Sequence, residues 1–155
     1  MLDHGIGRRN SLTALLLPLA NRCLLLPNVA VAELIDYAPG QRSDEAPEGY
    51  LGTIGWRHLD VPLLSLEVAS GGPRVVGPRA RIAVLNAIGE TPLRFFALLI
   101  QDIPRSCKID SQLSYVDVPL APLELAAVQV GDKVARVPDM PALERLASAY
   151  GLSAS

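Results

Sequence analysis

Lysine is almost missing from this chain: Lys108 and Lys133 are the only two, and arginine supplies nearly all the positive charge. Aromatic side chains make up only 5% of the 155 residues. The net charge is −2, and no basic stripe interleaved with aromatics occurs, so the electrostatic footprint of a nucleic-acid binder is lacking. Two cysteines and two histidines, Cys23, Cys107, His4 and His58, stand at unrelated spacings that match no standard zinc-ligand pattern. The cysteines lie far apart in apolar surroundings, where two buried free thiols describe them better than a disulfide. There is no G-x-S-x-G elbow, no P-loop and no H-E-x-x-H, so no cofactor is expected. Ser65 and Ser106 have no base beside them. His58 next but one to Asp60 invites a catalytic reading, but on a strand such residues are merely neighbours on one face. No nucleophile accompanies them, and an enzyme built on His58 or a thiol is the weakest reading. No uninterrupted apolar run is long enough to span a bilayer.

What the chain does have is apolar residues. Half of it is hydrophobic and 19% is charged. A chain of this length buries roughly 68–70% of its unfolded surface, enough for a core without metals or disulfides. It fits one domain or two small fused subdomains. The stretch RRNSLTALLLPLANRCLLLP, residues 8–27, has two readings. Two arginines before an apolar run resemble an export signal, which would make the protein an exported small β-barrel module with residues 8–20 in its signal. Against this, Asn21-Arg22 break the run, a second apolar segment follows at once, and no A-x-A cleavage box follows the first run. Strand (13–19), turn (20–22) and strand (23–26) is the better reading, with both faces of each strand covered. Residues 1–10 then form a flexible tail.

Further along, VAVAELIDY (29–37) begins as a strand, with Val29, Val31 and Glu33 on one face. APGQRSDEAPE (38–48) is a loop by composition, and its acids Asp44, Glu45 and Glu48 read as a solvated surface. LDVPLLSLEV (59–68) is a strand with Pro62 inside, which implies an edge or a bulge. Its apolar positions shift from odd to even, as a one-residue bulge would require. SGGPRVVGP (70–78) is the expected connection between subdomains. RIAVLNA and LRFFALLI read as paired strands around Gly89-Glu90-Thr91-Pro92. Residues 125–137 form a hairpin with Gly131-Asp132 in a type II′ turn. A terminal helix follows, with Asp139 as N-cap, Pro141 in its first turn, Gly151 at C′, and Leu143, Leu146 and Ala147 as its apolar stripe. The sum is mainly β: nine or ten short strands arranged as barrels, and one helix.

The segment APEGYLGTIGWRHLDVPLLSL, 46–66, resembles the signature of the CheW-like chemotaxis coupling proteins. Pro47, Gly52, Arg57, Val61, Pro62 and Leu66 stand at the family spacing. Upstream, Val31-Ala32-Glu33-Leu34 resembles the family's Val-x-Glu-hydrophobic motif. Downstream, RIAVLNA and FALLIQDI resemble the strands that open its second barrel. The resemblance covers roughly residues 12–150. Three positions depart from it: His58 replaces a glycine, Ser65 an acidic residue, and Gln101 an aspartate. Such departures mark a divergent member, and the sequence as a whole most resembles the ChpC-type accessory couplers of pilus-linked twitching systems. The resemblance implies one domain over 11–150, made of two five-stranded SH3-like barrels around a shared core, with no catalysis. It implies a cytoplasmic adaptor between the tip of a methyl-accepting chemoreceptor and the regulatory domain of a CheA-type histidine kinase, without membrane insertion or nucleic acid. It places Val31, Glu33, Gly52 and Arg57 at partner-sensitive positions. Beside Trp56 and apolar strand residues, Arg57 is expected to be partly buried and paired, so that its removal would cost about 3–5 kcal/mol.

Overall fold

The computed structural model describes residues 11–42, 48–110 and 113–154. The tail expected over 1–10 and the acids Asp44 and Glu45 lie outside the described residues, and Glu48 is exposed. Strands β1 (Ser11–Pro18) and β2 (Cys23–Pro27) pair as an antiparallel hairpin. A 3-10 turn, Asn28–Ala30, leads into β3 (Val31–Asp36), β4 (Tyr50–Trp56) and β5 (Leu59–Leu64). A short helix α1 (Leu66–Ala69) precedes β6 (Arg81–Asn86) and β7 (Phe95–Ile100). Next come β8 (Arg105–Asp110), β9 (Ser114–Tyr115), β10 (Glu124–Val130), β11 (Lys133–Pro138) and helix α2 (Met140–Ala154).

The strands form two sheets. One has six strands in the order β8-β1-β2-β11-β10-β9, and the other five in the order β3-β6-β7-β5-β4. The chain starts in the first sheet, builds the second with β3 to β7, and returns. It therefore crosses between sheets at Asn28–Ala30 and again between Ile100 and Arg105. The stretch 70–78, expected as the subdomain connection, runs from α1 to β6 inside the five-stranded sheet. That path passes β7, which lies between β5 and β6, and so needs a long link. For the same reason β6 and β7 complete this sheet rather than open a second barrel.

The continuous apolar runs have a simple cause: both faces of the inner strands are buried. On β1, Ala14 and Leu16 point into a core inside the six-stranded sheet, while Leu17 points into a core shared by both sheets. On β2, Leu25 joins the first core and Leu24 and Leu26 the shared one. Strands β6 and β7 do the same on the other side. Ala83, Leu85, Phe96, Leu98 and Ile100 fill the shared core, and Ile82, Val84, Ala97 and Leu99 fill the core of the five-stranded sheet. The run that could be taken for an export signal is thus an inner strand, with Ala14 and Leu17 fully buried.

Helix α2 seals the shared core. Leu143 and Ala147 enter it, and the helix packs on β4 and β5. The Asp139 carboxylate accepts from Ala142 N at 3.1 Å, the expected N-cap. Gly151 is not its end, because the helix continues to Ala154. In the β10–β11 hairpin Gly131 takes φ +61 while Asp132 stays at negative φ, the II′ pattern.

Three local expectations change. The odd-to-even shift over 59–68 is no bulge in β5: the strand stops at Leu64 and α1 begins, capped by Ser65, whose Oγ accepts from Val68 N at 3.2 Å. Pro62 is tolerated because β5 joins β7 only from Leu63 onward. Val29 belongs to the 3-10 turn and is exposed, and a bulge between Val31 and Glu33 breaks the alternation on β3. Cys23 and Cys107 are free and half-buried rather than buried, and burial still pushes both thiols upward in pKa.

Candidate partner-binding surface

The tight turn between β4 and β5 builds the candidate surface. Trp56 pairs with Leu59, leaving Arg57 and His58 as a two-residue loop. Both have positive φ, +50 and +63, which is the type I′ turn that matches the twist of a hairpin. His58 is therefore a turn residue, displaced from any strand face shared with Asp60. The turn aims Arg57 outward and folds it over its neighbour: the guanidinium carbon lies 4.5 Å from the Trp56 ring centroid.

Trp56 is anchored from below. Its ring is 7% exposed and meets Phe95 edge to face at 4.7 Å. Its indole N–H donates to Glu33 Oε1 at 3.1 Å, and Arg57 donates to the same oxygen at 2.9 Å. Glu33 thus joins β3 to the end of β4, the two outer strands of the five-stranded sheet. The result is a rigid surface patch with a tryptophan base, an arginine plate and a carboxylate clasp.

The four expected residues divide. Glu33 and Arg57 are brought together. Val31 lies on the same strand as Glu33, but the bulge turns it to Leu85 and the shared core, half-buried. Gly52 is buried elsewhere on β4, at φ +116. The returning chain crosses it so closely that a Cβ would stand 2.6 Å from the carbonyl carbon of Gly40 and 2.8 Å from two Gln41 backbone atoms. That crossing is fixed by reciprocal Gln41–Thr53 backbone hydrogen bonds. Gly52 therefore serves a close backbone approach, as only a residue without a side chain can.

Arg57 is paired, as expected, but it is not buried: its side chain is 65% exposed and that of Glu33 is 41% exposed. The large cost of stranding a buried partner does not apply there. It applies to Glu124, which sequence reasoning passed over. Its side chain is 3% exposed and pairs with Arg22 and Arg136, tying the β1–β2 turn to β10 and β11. Glu144 was also missed. It is fully buried on α2 and accepts from Ile88 N at 2.6 Å, Thr91 N at 2.7 Å and Thr91 Oγ1 at 2.8 Å. Burial alone would raise its pKa, but these hydrogen bonds outweigh that and hold it below the usual carboxylate value. Its position between Leu143 and Ala147, on the apolar face, was the available signal.

Among the described residues no group of His, Cys, Asp and Glu is arranged to hold a metal ion. No described helix is long and apolar enough to cross a membrane.

Comparison with known proteins fits this geometry. The CheW-like domain family matches residues 13–147. Among solved structures, the scaffolding protein TtCheW from Thermoanaerobacter tengcongensis superposes with a TM-score of 0.69 at 19% identity, covering 81% of this chain and 87% of that one. That likeness establishes the fold as two SH3-like subdomains. No curated protein matches the chain. With the family matched over all but the ends of the chain, this protein belongs to the CheW-like domain family of non-catalytic scaffolding adaptors in chemotaxis signalling.

Proposed function

We propose that this chain couples the cytoplasmic tip of a methyl-accepting chemoreceptor to the regulatory domain of a CheA-type histidine kinase. It does so at membrane-associated receptor arrays, on the cytoplasmic side, with residues 11–150 as one unit. The observation that carries this reading is the Glu33–Trp56–Arg57 patch on a CheW-like fold. An exposed arginine held against an aromatic ring and a carboxylate is preorganised, so little side-chain freedom is lost when a partner docks. Glu33 and Arg57 make the contact in this reading. Val31 and Gly52 act from beneath, by packing β3 and by allowing the crossing over β4.

The finer assignment is to accessory couplers of type IV pilus twitching motility. Its support is the set of departures from the family signature. His58 is accommodated in the I′ turn, Ser65 caps α1, and Gln101 donates to Val75 O at 2.9 Å while accepting from Gly77 N at 2.8 Å. Each departure is built into local structure, as in a divergent member.

The test is reconstitution. Receptor-bearing membranes and the CheA-type kinase of the same host are mixed with the full chain, and co-sedimentation and kinase autophosphorylation are read together. The expected result is a ternary complex with altered kinase activity, weakened by Arg57→Ala. Absence of the chain from the sedimented complex overturns the coupling role. Deletion in the host that alters swimming and leaves twitching unchanged overturns the pilus assignment.

A further inference from the structure

A second surface lies in the six-stranded sheet and shares no residue with the patch. At one end of that sheet's own core is a groove of ≈ 390 Å³. Leu16, Leu19, Val134 and the Cys23 thiol give it apolar walls. Arg22, Arg105 and Lys133 line it as well, and no carboxylate does. Arg22 is neutralised from behind by Glu124. Arg105 and Lys133 are exposed and make no ion pair among the described residues.

What sets these two cations apart is that they line one groove together. The chain carries a net charge of −2, and its arginines at 57, 79, 81 and 145 are paired with acids; Arg74, Arg94 and Lys108 are exposed without an ion pair among the described residues, but none of them lines this groove. Lys133 is one of only two lysines and sits beside the hairpin tip, next to Val134 in the groove lining. Two unpaired cations over an apolar floor suit a ligand that is anionic at one point and apolar beside it. A long polyanion fits poorly. The groove offers no aromatic ring for base stacking, and its short lining holds too few free cations to track a polymer of phosphates.

We infer that this groove is a docking site for an acidic polypeptide segment, in which an apolar side chain enters between Leu16 and Val134 and flanking carboxylates meet Arg105 and Lys133. The site is separate from the Glu33–Arg57 patch and does not depend on how that patch is used.

The groove contains its own reporter. Cys23 lines it, whereas Cys107 does not. The full-length protein is mixed with an acetylated peptide of alternating Glu and Leu. Iodoacetamide labelling of each cysteine is followed by mass spectrometry, with peptide affinity read by fluorescence anisotropy. The expected result is slowed labelling of Cys23 with Cys107 unchanged. Affinity should fall roughly tenfold with the Gln-for-Glu peptide or in the Arg105→Glu, Lys133→Glu variant, as two screened charge contacts allow. Both substitutions lie on exposed positions, and an unchanged melting temperature confirms the fold. Equal binding of the Gln peptide, unchanged binding to the variant, or no protection of Cys23 at millimolar peptide overturns the assignment. Tighter capture of anionic lipid vesicles or a DNA oligonucleotide than of the peptide also overturns it.

Discussion

Replacing Gly52 by alanine should unfold part of the population without touching any partner surface. At φ +116 the backbone is in a region that side chains rarely adopt, and a Cβ would overlap backbone atoms of Gly40 and Gln41 at 2.6 to 2.8 Å. Conformational strain of this kind costs about 1–3 kcal/mol. Overlap with packed backbone adds about 1–3 kcal/mol, because the neighbours cannot rotate away. The expected loss is therefore about 2–6 kcal/mol, which at roughly 2–4 °C per kcal/mol lowers Tm by about 4–24 °C. Gly55 is the internal control. It lies on the same strand, has no positive φ, and a Cβ there meets nothing within 4 Å. Gly55→Ala should stay within about 0.5 kcal/mol of the wild type. Urea melts of both variants, with m held constant, read the difference directly. If the two variants were equally stable, the close crossing of Gly40 over Gly52 would be wrong.

Arg57→Ala should change stability by less than about 1 kcal/mol, because its ion pair with Glu33 is exposed, and thermal melts check this. Glu124→Ala should cost about 3–5 kcal/mol in urea melts, since it strands Arg136 and Arg22 beside a nearly inaccessible site. Glu144 binds fewer protons folded than unfolded at mildly acid pH, because its folded pKa is lowered. Its stabilisation is therefore present above the usual carboxylate pKa of about 4.3 and is lost as pH falls through the lower folded value. Glu144→Gln should flatten that acid limb in urea melts taken across the range. His58→Gly should raise stability by about 0.5–1 kcal/mol, since relief of a left-handed residue exceeds the added chain entropy.

The strands were legible because burial on both faces writes itself as uninterrupted apolar runs, as in ALLLP of β1 and FALLI of β7. What pattern could not show was which sheet a strand joins. Hairpin neighbours are local, but the parallel pairings of β5 with β7 and of β2 with β11 are set by packing across the shared core. The link 70–78 therefore looked like a boundary when it is a crossover. At the patch, Glu33 and Arg57 were both picked out, and their pairing needed the turn geometry to be seen. Arg57 looked buried because its sequence neighbours are apolar, yet a type I′ turn lays it on the outer side of Trp56, where it stays exposed. Glu144 and Glu124 were missed because a buried carboxylate is recognised by its partners, and those lie 53 or more residues away for Glu144 and 102 away for the Arg22 pair of Glu124.

The most direct test of the coupling account is calorimetric titration of the full chain with the purified regulatory domain of its host's CheA-type kinase, beside Glu33→Ala and Arg57→Ala. The account predicts saturable binding by the wild type and at least roughly tenfold weaker binding by a variant whose Tm is unchanged, equivalent to about 1.4 kcal/mol. Wild-type affinity in both variants, or no heat of binding from any of the three, would contradict it.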